Sequence, residues 1–381
     1  MRAYLDHAAT SPMRPQAAAA MLPFLTEHFG NPSASHSVAR AARRALDEAR
    51  DSLARDLGCD PGEVVFTSGG TESDNLAVLG SHAATGGAVV CSAVEHHAVL
   101  RACESVGGTT VAVDTSGKLE IDALADALHL GVSLVSVMLA NNEVGTLQPI
   151  AEVAAVVRDL APDAILHTDA VAAVGWLDVA AAVGSSDLVS VSAHKFGGPK
   201  GVGALLIRDG VRIEPLTYGG EQERGRRAGT HDVAGIVGMA AALSAATVDR
   251  DEQVARIGRL RDRLADGVLA AVEGATENGV RAGPHGTHDR GGKLASSFHV
   301  RFDGVDSEEL LFLLDEAGIC SSAGAACASG ALEPSHVLLA MGLTPAEARS
   351  AVRFSLGATT TDAEIDHTLD VLPKLVEQLR S

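Results

Sequence analysis

The amino-acid sequence predicts an α/β protein, in which a large domain has a mainly parallel, seven-stranded sheet flanked by helices and a smaller domain is α+β. Between residues 35 and 250, apolar runs bounded by glycine alternate with helical patterns, as in βα-alternating domains. From Asp251 onward, a long helical pattern leads into two antiparallel-looking segments, SSFHVRF and SAVRFSLG. A chain of 381 residues also exceeds the size of most single cores. We therefore expect a large domain over 12–250 and a small domain formed by 1–11 and 251–381.

The individual elements follow from hydrophobic periodicity. Two segments, 37–57 and 150–160, carry apolar residues at helical spacing and predict helices. Short apolar runs rich in β-branched residues predict the strands of the large domain. These predicted strands are 63–67, 88–92, 109–113, 134–139, 165–168, 188–192 and 203–207.

Composition excludes several classes of protein. With 46% hydrophobic and 21% charged residues, the chain is not disordered over most of its length. The formal charge of −19 repels nucleic-acid backbones and anionic lipid, so we expect no direct nucleic-acid or membrane binding. Uncharged runs are shorter than a spanning helix, and the N-terminus lacks the pattern of a signal peptide. We therefore expect a cytoplasmic location.

The five cysteines have neither the density nor the spacing of a disulfide framework or a metal site, so we expect free thiols and no bound metal. Cys91 and Cys103 lie in apolar contexts typical of buried residues, and Cys59 lies in a turn. Cys327 differs because its neighbours in SSAGAACASG are small, and we expect it on an exposed loop. A packed or an incidental surface thiol is the alternative.

A glycine turn between a strand and a helix is the first candidate site. In EVVFTSGGTESDNLAVLG, the free N–H groups of the helix N-terminus point at the turn. Glycine lets the backbone approach a phosphate, and Ser68 and Thr71 add hydroxyl donors. The segment matches neither the P-loop nor the dinucleotide pattern, and a capped helix after a tight turn is an equal alternative.

Lys195 and Asp169 are the next candidates. Lys195 follows an apolar strand and precedes a glycine-rich stretch, where burial would lower its pKa and favour a Schiff base. A structural lysine is the alternative, and we assign that role to Lys200. Asp169 ends a short strand at the edge where α/β sheets bind ligands, or else caps a helix. Pyridoxal phosphate needs a phosphate cradle, a lysine and a carboxylate for its ring nitrogen, so their joint presence favours this cofactor.

Motifs along nearly the whole chain then give a specific resemblance. They are YLDHAAT at 4–10, GNPSASH at 30–36, TSGGTESDNLA at 67–77, EHHAVL at 95–100, ANNEVGTLQPI at 140–150, HTDAV at 167–171, SAHKFGGPKGVGAL at 192–205, ERGRRAGT at 223–230, and CASGALEPSHVL with RFSLG near the end. In these motifs the sequence resembles the cysteine desulfurases of the class V aminotransferase group, which have fold type I of the pyridoxal-phosphate enzymes.

The resemblance implies a role for each matching residue. Lys195 would hold the cofactor through a Schiff base, Asp169 would keep the ring nitrogen protonated, and His96 would stack on the ring and transfer protons. The other implied cofactor-binding residues are Gly70, Thr71, Asn142, Ser192 and His194, with Thr230 coming from the other subunit of a homodimer. The implied substrate-binding residues are Asn31, His36, Asn142 and Arg353.

The resemblance also implies the reaction. Cys327 would take sulfur from L-cysteine, leaving alanine and a persulfide that is passed to a sulfur-acceptor protein. From pattern alone, His96 and His97 are ordinary histidines, of which one can face the cofactor, and Arg353 is a solvated arginine on the same strand face as Ser355.

Two departures from the family pattern bear on rate. Ala172 stands where the family usually has a glutamine that hydrogen-bonds the cofactor's phenolic oxygen. The residues before the nucleophile, Ala323 to Ala326, carry fewer hydroxyls than in many relatives.

The pathway is less specified than the chemistry. Compact length, alanine richness and a short C-terminus are similar to the desulfurase of bacterial DNA phosphorothioation systems. Iron–sulfur cluster assembly and tRNA thiolation are alternative destinations for the sulfur. An aminotransferase, a selenocysteine lyase and a non-enzymatic scaffold with the same fold are the alternative functions.

Overall fold

The computed structural model describes residues 2–282, 288–323 and 333–381. Its strands fall into a large central sheet, a three-stranded sheet and short two-stranded pairs. In chain order they are β1 (Ala3–Tyr4), β2 (Val64–Thr67), β3 (Ala88–Ser92), β4 (Thr109–Val111), β5 (Val132–Ser136), β6 (Ile165–Asp169), β7 (Leu188–Ser192), β8 (Gly203–Ile207), β9 (Ala275–Glu277), β10 (Arg281–Ala282), β11 (His288–Asp289), β12 (Ser297–Phe302), β13 (Ile319–Cys320) and β14 (Ala351–Ser355).

Helices cover both faces of the central sheet and one face of the small sheet. They are α1 (Pro15–Thr26), α2 (Ser37–Leu57), α3 (Gly70–Asn75), α4 (Ser81–Thr85), α5 (His97–Ser105), α6 (Ile121–Ala127), α7 (Ile150–Leu160), α8 (Val179–Ala182), α9 (Val233–Val248), α10 (Arg250–Ala271), α11 (Ser307–Glu316), α12 (His336–Ala340), α13 (Pro345–Arg349) and α14 (Asp362–Arg380). A π-helical turn, Leu76–Gly80, joins α3 to α4.

The central sheet has seven strands in the order β2-β8-β7-β6-β5-β3-β4. Every pairing is parallel except the two made by β8, which runs antiparallel to β2 and β7. Because helices cover both faces of the sheet, its strands are buried on both sides. Their sequences are therefore continuous apolar runs and do not alternate between apolar and polar residues. The predicted α/β class with a mainly parallel seven-stranded sheet is confirmed. The carboxyl ends of six strands therefore meet at one edge.

Predicted and observed elements differ mainly at strand ends. Both predicted helices have the observed bounds of α2 and α7. The predicted strand 134–139 is observed as β5, Val132–Ser136. The extended backbone nevertheless continues, because Val137 N donates to His167 O (3.0 Å) and Leu139 N donates to Asp169 O (2.8 Å). The chain after β5 is thus held against β6 up to the carboxyl edge of the sheet.

The small sheet, β14-β12-β9, is antiparallel and packs beneath α10, α11 and α14. Phe298, Phe302 and Phe354 lie fully buried in its core. The N-terminal strand β1 also belongs to this layer, since it pairs in parallel with β13 and its Ala3 joins the same core. The large-sheet cores are separate clusters.

Within the described ranges, we find no single helix with the length and apolarity needed to cross a membrane. Helices α9 and α10 have that length and composition only when taken together, and the pair is bent by 71°.

Candidate active site

A cavity of about 370 Å³ opens at the carboxyl edge of the central sheet. It is where the segments following β2, β3, β5, β6 and β7 converge, as expected for the ligand site of an open α/β sheet. The three-stranded sheet contributes Arg353 from β14. The predicted site residues that line this cavity are Gly70, Thr71, His96, Asn142, Asp169, Ser192, His194, Lys195 and Arg353.

The turn between β2 and α3 forms one wall. Gly69 has φ 146°, a conformation that favours glycine, and α3 begins at Gly70. A Cβ on Gly203 of β8 would lie 2.7 Å from Gly69 Cα and 2.6 Å from Val191 O, so the two backbones pack without room for a side chain. The turn is therefore packed against the sheet, and Gly70 and Thr71 at the start of α3 line the cavity, whereas Ser68 does not.

Lys195 lies on a short 3₁₀ turn directly after β7. Its Nζ donates to the carbonyl oxygens of Ala8 and Ala9 in the N-terminal segment. Neighbouring His194 is held by a hydrogen bond between Nδ1 and Thr10 Oγ1 (3.2 Å). The N-terminal segment thus closes one side of the cavity and fixes the amine there.

Asp169 ends β6 with its carboxylate at the cavity. Its Oδ1 accepts a hydrogen bond from Val171 N (2.8 Å). Burial raises the pKa of Asp169 to about 6, while that hydrogen bond and the charge of Lys195 act in the opposite direction. Burial also raises the pKa of Asp74 and of Glu95, and the charge of Asp169 raises both further. The charge of Lys195 favours the ionised form of Asp169.

His96 forms the wall at the end of β3, where it is the N-cap of α5. Its Nδ1 accepts a hydrogen bond from Ala98 N (3.1 Å), which leaves the proton on Nε2. Burial and the charge of Lys195 together lower its pKa to about 4, so the ring is neutral at physiological pH. His97 does not line this cavity and instead lies against His336, with ring centroids 4.4 Å apart.

Arg353 projects from β14 and is buried rather than solvated. Nη2 donates to Asp6 Oδ1 (2.8 Å) and Nη1 donates to Asn142 O (2.9 Å), whereas Nε has no hydrogen-bond partner. Asp6 and the Asn142 backbone therefore orient the guanidinium at the cavity wall. Ser355, two residues on, also faces this side, since its Oγ accepts a hydrogen bond from Ala8 N (2.8 Å).

Three predicted site residues lie outside the cavity of this single chain. Asn31 and His36 are exposed in the segment before α2, where His36 caps the helix by accepting from Ala39 N (3.2 Å). Thr230 is exposed on the segment before α9. Cys327 lies outside the described residues.

The sequence reasoning gave no role to several residues that build the site. Asp6 and Ala8 lie within the motif YLDHAAT, but their contacts are with Arg353 and Lys195, which are 347 and 187 positions away in the sequence. Asp74 and Glu95 lie in quoted motifs too, and nothing local indicates that their carboxyls are buried.

The residues present fit pyridoxal phosphate. A close-packed glycine turn at a helix N-terminus suits the phosphate, a buried carboxylate with one oxygen already fixed suits the ring nitrogen, and the Lys195 amine reaches the same cavity. Asp169, Lys195 and the turn at Gly69 approach from different strands, so the three requirements meet in one place.

Comparisons with known proteins agree with this geometry. The chain is 45% identical to an IscS-like cysteine desulfurase of Mycobacterium tuberculosis, covering 99% of this chain and 97% of that one. Among solved structures, it resembles a NifS-like protein (32% identity, TM-score 0.91, covering 99% of this chain and 100% of that one) and DndA from Streptomyces lividans (33%, TM-score 0.76, 92% and 99%). Residues 3–368 match the aminotransferase class-V family, to which the chain therefore belongs, and the enzymes of this family depend on pyridoxal phosphate.

Proposed function

We propose that the chain is a pyridoxal-phosphate-dependent cysteine desulfurase, which converts L-cysteine to L-alanine and retains the sulfur as a persulfide on Cys327. The observation that carries the proposal is the convergence of Lys195, Asp169 and Arg353 on one cavity bounded by the glycine turn. The names of full-length relatives at 42–46% identity support the same activity.

The residues around the cavity divide the work of holding the cofactor. Gly70, Thr71, Ser192 and His194 would bind its phosphate, Asp169 its ring nitrogen, and Lys195 its aldehyde carbon. Bound there, pyridoxal phosphate supplies an electron sink that weakens bonds at the substrate's α and β carbons. His96 lies over the same cavity as a neutral ring with its proton on Nε2.

Substrate binding depends on Arg353 and Asn142. Asp6 and the Asn142 carbonyl occupy both terminal nitrogens of Arg353, while its buried Nε has no partner. A substrate carboxylate would accept from the guanidinium of Arg353 and from the Asn142 side chain. Asp6 partly neutralises the charge of Arg353. The guanidinium can therefore attract a substrate anion without itself being an unpaired buried charge.

The sulfur step needs a thiol acceptor. The thiol of Cys327 would take a sulfur atom from L-cysteine, so that the substrate leaves as alanine and the enzyme thiol becomes a persulfide. The atoms and electrons balance without an added oxidant. This role of Cys327 is supported by the sequence motif around it.

We further propose a homodimer in which Thr230 reaches the partner's cofactor phosphate. Asn31 and Thr230 lie outside the cavity of one chain, and each has an exposed large apolar side chain near it in the sequence. Phe29 (76% exposed) precedes Asn31, and Tyr218 (81% exposed) lies on the segment leading to Thr230. A partner subunit that covered these two side chains would remove their apolar surface from water, which supports an interface here. A sulfur-acceptor protein would then discharge Cys327.

The destination of the sulfur stays a proposal. DNA phosphorothioation is the destination suggested by the sequence, with iron–sulfur assembly or tRNA thiolation as alternatives. The chain is 33% identical to DndA and 42% identical to a relative named IscS. Sequence identity therefore does not favour the DndA type.

Alanine formation from L-cysteine with a thiol reductant tests the proposal. We expect turnover by the wild type and its loss, by about a hundredfold or more, in Cys327→Ser and Lys195→Ala. Cys320→Ser and Lys200→Ala are the matched controls and should retain activity. The Cys327→Ser protein should keep its cofactor absorbance, whereas Lys195→Ala should lose the Schiff-base band. Equal turnover by Cys327→Ser and wild type would refute the persulfide step.

A further inference from the structure

A second cavity, of about 320 Å³, lies directly beside the active site at the junction of the two domains. It is bounded by the N-terminal segment 7–16, by residues of the large domain and by the segments 294–297 and 355–359. Four residues line both cavities, namely Ala8, Asn142, Ala172 and Lys195. The two cavities therefore meet at a shared wall next to the reactive amine.

Ala172 determines how open that wall is. It presents a single methyl group to both cavities, between the strand end that carries Asp169 and the half-buried ring of Trp176. A longer side chain at this position would occupy the space that joins them. Asn142, on the opposite side, is one of the two residues proposed to hold the substrate carboxylate. A group attached to the substrate's β carbon can thus reach the passage.

The second cavity suits an uncharged, bulky group. Its walls include Trp176, Phe196, Leu294 and Leu356, and no Asp or Glu among the residues that the structure describes lines it. The guanidinium of Arg14 is already engaged, since it donates to Phe196 O (3.1 Å) and Gln253 Oε1 (3.2 Å). A cationic side chain would find no counter-charge there, and an apolar group would be desolvated.

His7 lies in the wall of the second cavity. The side chain is buried, and neither ring nitrogen makes a hydrogen bond of ordinary geometry. Burial lowers its pKa to about 4, so the ring is neutral. Because both ring nitrogens are covered, an occupant of the cavity would meet the neutral ring and not a charged group.

We propose that the second cavity is a side-chain subsite for amino acids whose β carbon carries a bulky, uncharged thioether, such as S-benzyl-L-cysteine. The inference rests on the proposed function only in placing the α-carboxylate at Arg353 and Asn142. The benzyl group passes Ala172 and lies against Trp176, which excludes L-cysteine from the active site at the same time.

Trp176 is the single tryptophan of the chain and lines this cavity, so the tryptophan fluorescence comes from the proposed subsite. We expect S-benzyl-L-cysteine to change the tryptophan emission of the holoenzyme and L-alanine, which has the same backbone groups, to leave it nearly unchanged. S-benzyl-L-cysteine should also compete with L-cysteine in alanine formation. Absence of the emission change, or an equal change with L-alanine, overturns the proposal.

Variants of the wall provide the second measurement. Ala172→Gln and Ala246→Phe each place a larger side chain in the wall of this cavity. Each should weaken S-benzyl-L-cysteine binding by about tenfold or more, which is the effect of burying part of an aromatic ring. Ala83→Gln on the exposed face of α4 is the matched control. Unchanged affinity in either folded wall variant contradicts the proposal. Because the emission measurement needs no turnover, a fluorescence response without alanine formation would refute the proposed function and leave the subsite standing.

Discussion

Replacing Glu223 by Gln should destabilise the large domain, because this carboxylate is the buried centre of four hydrogen bonds. Both terminal nitrogens of Arg50 donate to it (2.6 and 2.9 Å), as do Phe66 N (2.9 Å) and the ring Nε2 of His231 (2.7 Å). The side chain is 1% exposed. These contacts tie the segment that carries Thr230 to β2.

The magnitude follows from two independent arguments. The hydrogen bonds from His231 and Arg50 overcome the cost of burial and lower the pKa of Glu223 from 4.5 to about 2, which corresponds to about 3 kcal/mol in favour of the charged form. Removing one partner of a buried ion pair costs about 3–5 kcal/mol. We therefore expect urea denaturation at pH 7 to show a loss of about 3 kcal/mol in Glu223→Gln.

The pH dependence has a definite sign. Since the folded-state pKa is lowered, the stabilisation is fully present above pH 4.5 and is lost as pH falls towards 2. The stability difference between wild type and Glu223→Gln should accordingly shrink between these values. A difference that is below about 1 kcal/mol at pH 7, or that grows on acidification, would refute the reasoning.

Arg224→Gly is the control for Glu223→Gln, because it changes the backbone strain of the same segment and leaves the Glu223 carboxylate in place. Glu223 (φ 49°) and Arg224 (φ 59°) are both in the left-handed region, which costs a residue with a Cβ about 1–2 kcal/mol. At Arg224, glycine relieves this strain but loses the hydrogen bond to Gly62 O (3.0 Å). Its stability should therefore stay within about 1 kcal/mol of wild type.

Two further substitutions test the packing of the site and the buried charges. Gly203→Ala places a Cβ 2.6 Å from Val191 O and should cost about 1–3 kcal/mol in urea denaturation and weaken cofactor binding in a spectroscopic titration, whereas Gly292→Ala, with open space around it, should do neither. Lys293→Met leaves buried Glu277 without the amine 3.0 Å away and should lower the free energy of unfolding by about 3 kcal/mol, although Arg290 still pairs with Glu277. Lys374→Met, which breaks an exposed pair with Asp370, should change it by less than about 1 kcal/mol, and equal effects of the two lysine variants would contradict the argument.

The central sheet could be predicted because its strands are continuous apolar runs and its helices are amphipathic. Helix α2 was predicted with its observed bounds, since Gly58 ends it in a left-handed conformation that the sequence signals. Strand β5 was displaced by two residues at its start and three at its end, because the apolar run continues into the extended segment that enters the cavity. Such a run does not show where pairing stops.

The site was predictable where a motif follows a strand of the parallel sheet. Lys195 and Asp169 were found in this way, because parallel strands end at one edge. Asp6 was not assigned a role, since its partner Arg353 is 347 positions away and no local pattern connects them. Glu95 likewise looks like an ordinary helix-flanking acid until the fold buries it.

The pairing of the N-terminal segment with the C-terminal domain has a consequence for synthesis on the ribosome. Strand β1 joins β13, and Tyr4 N donates to Glu364 Oε1 (3.2 Å), so β1 can pair only after the residues from Ile319 to Glu364 have been made. The same segment supplies Ala8 to Lys195 and Asp6 to Arg353. The large sheet can form while translation continues, as domains generally do. A nascent chain should therefore acquire the turn between β2 and α3 early and the completed pocket only once Glu364 has emerged, which delays reactive chemistry until β1 has paired.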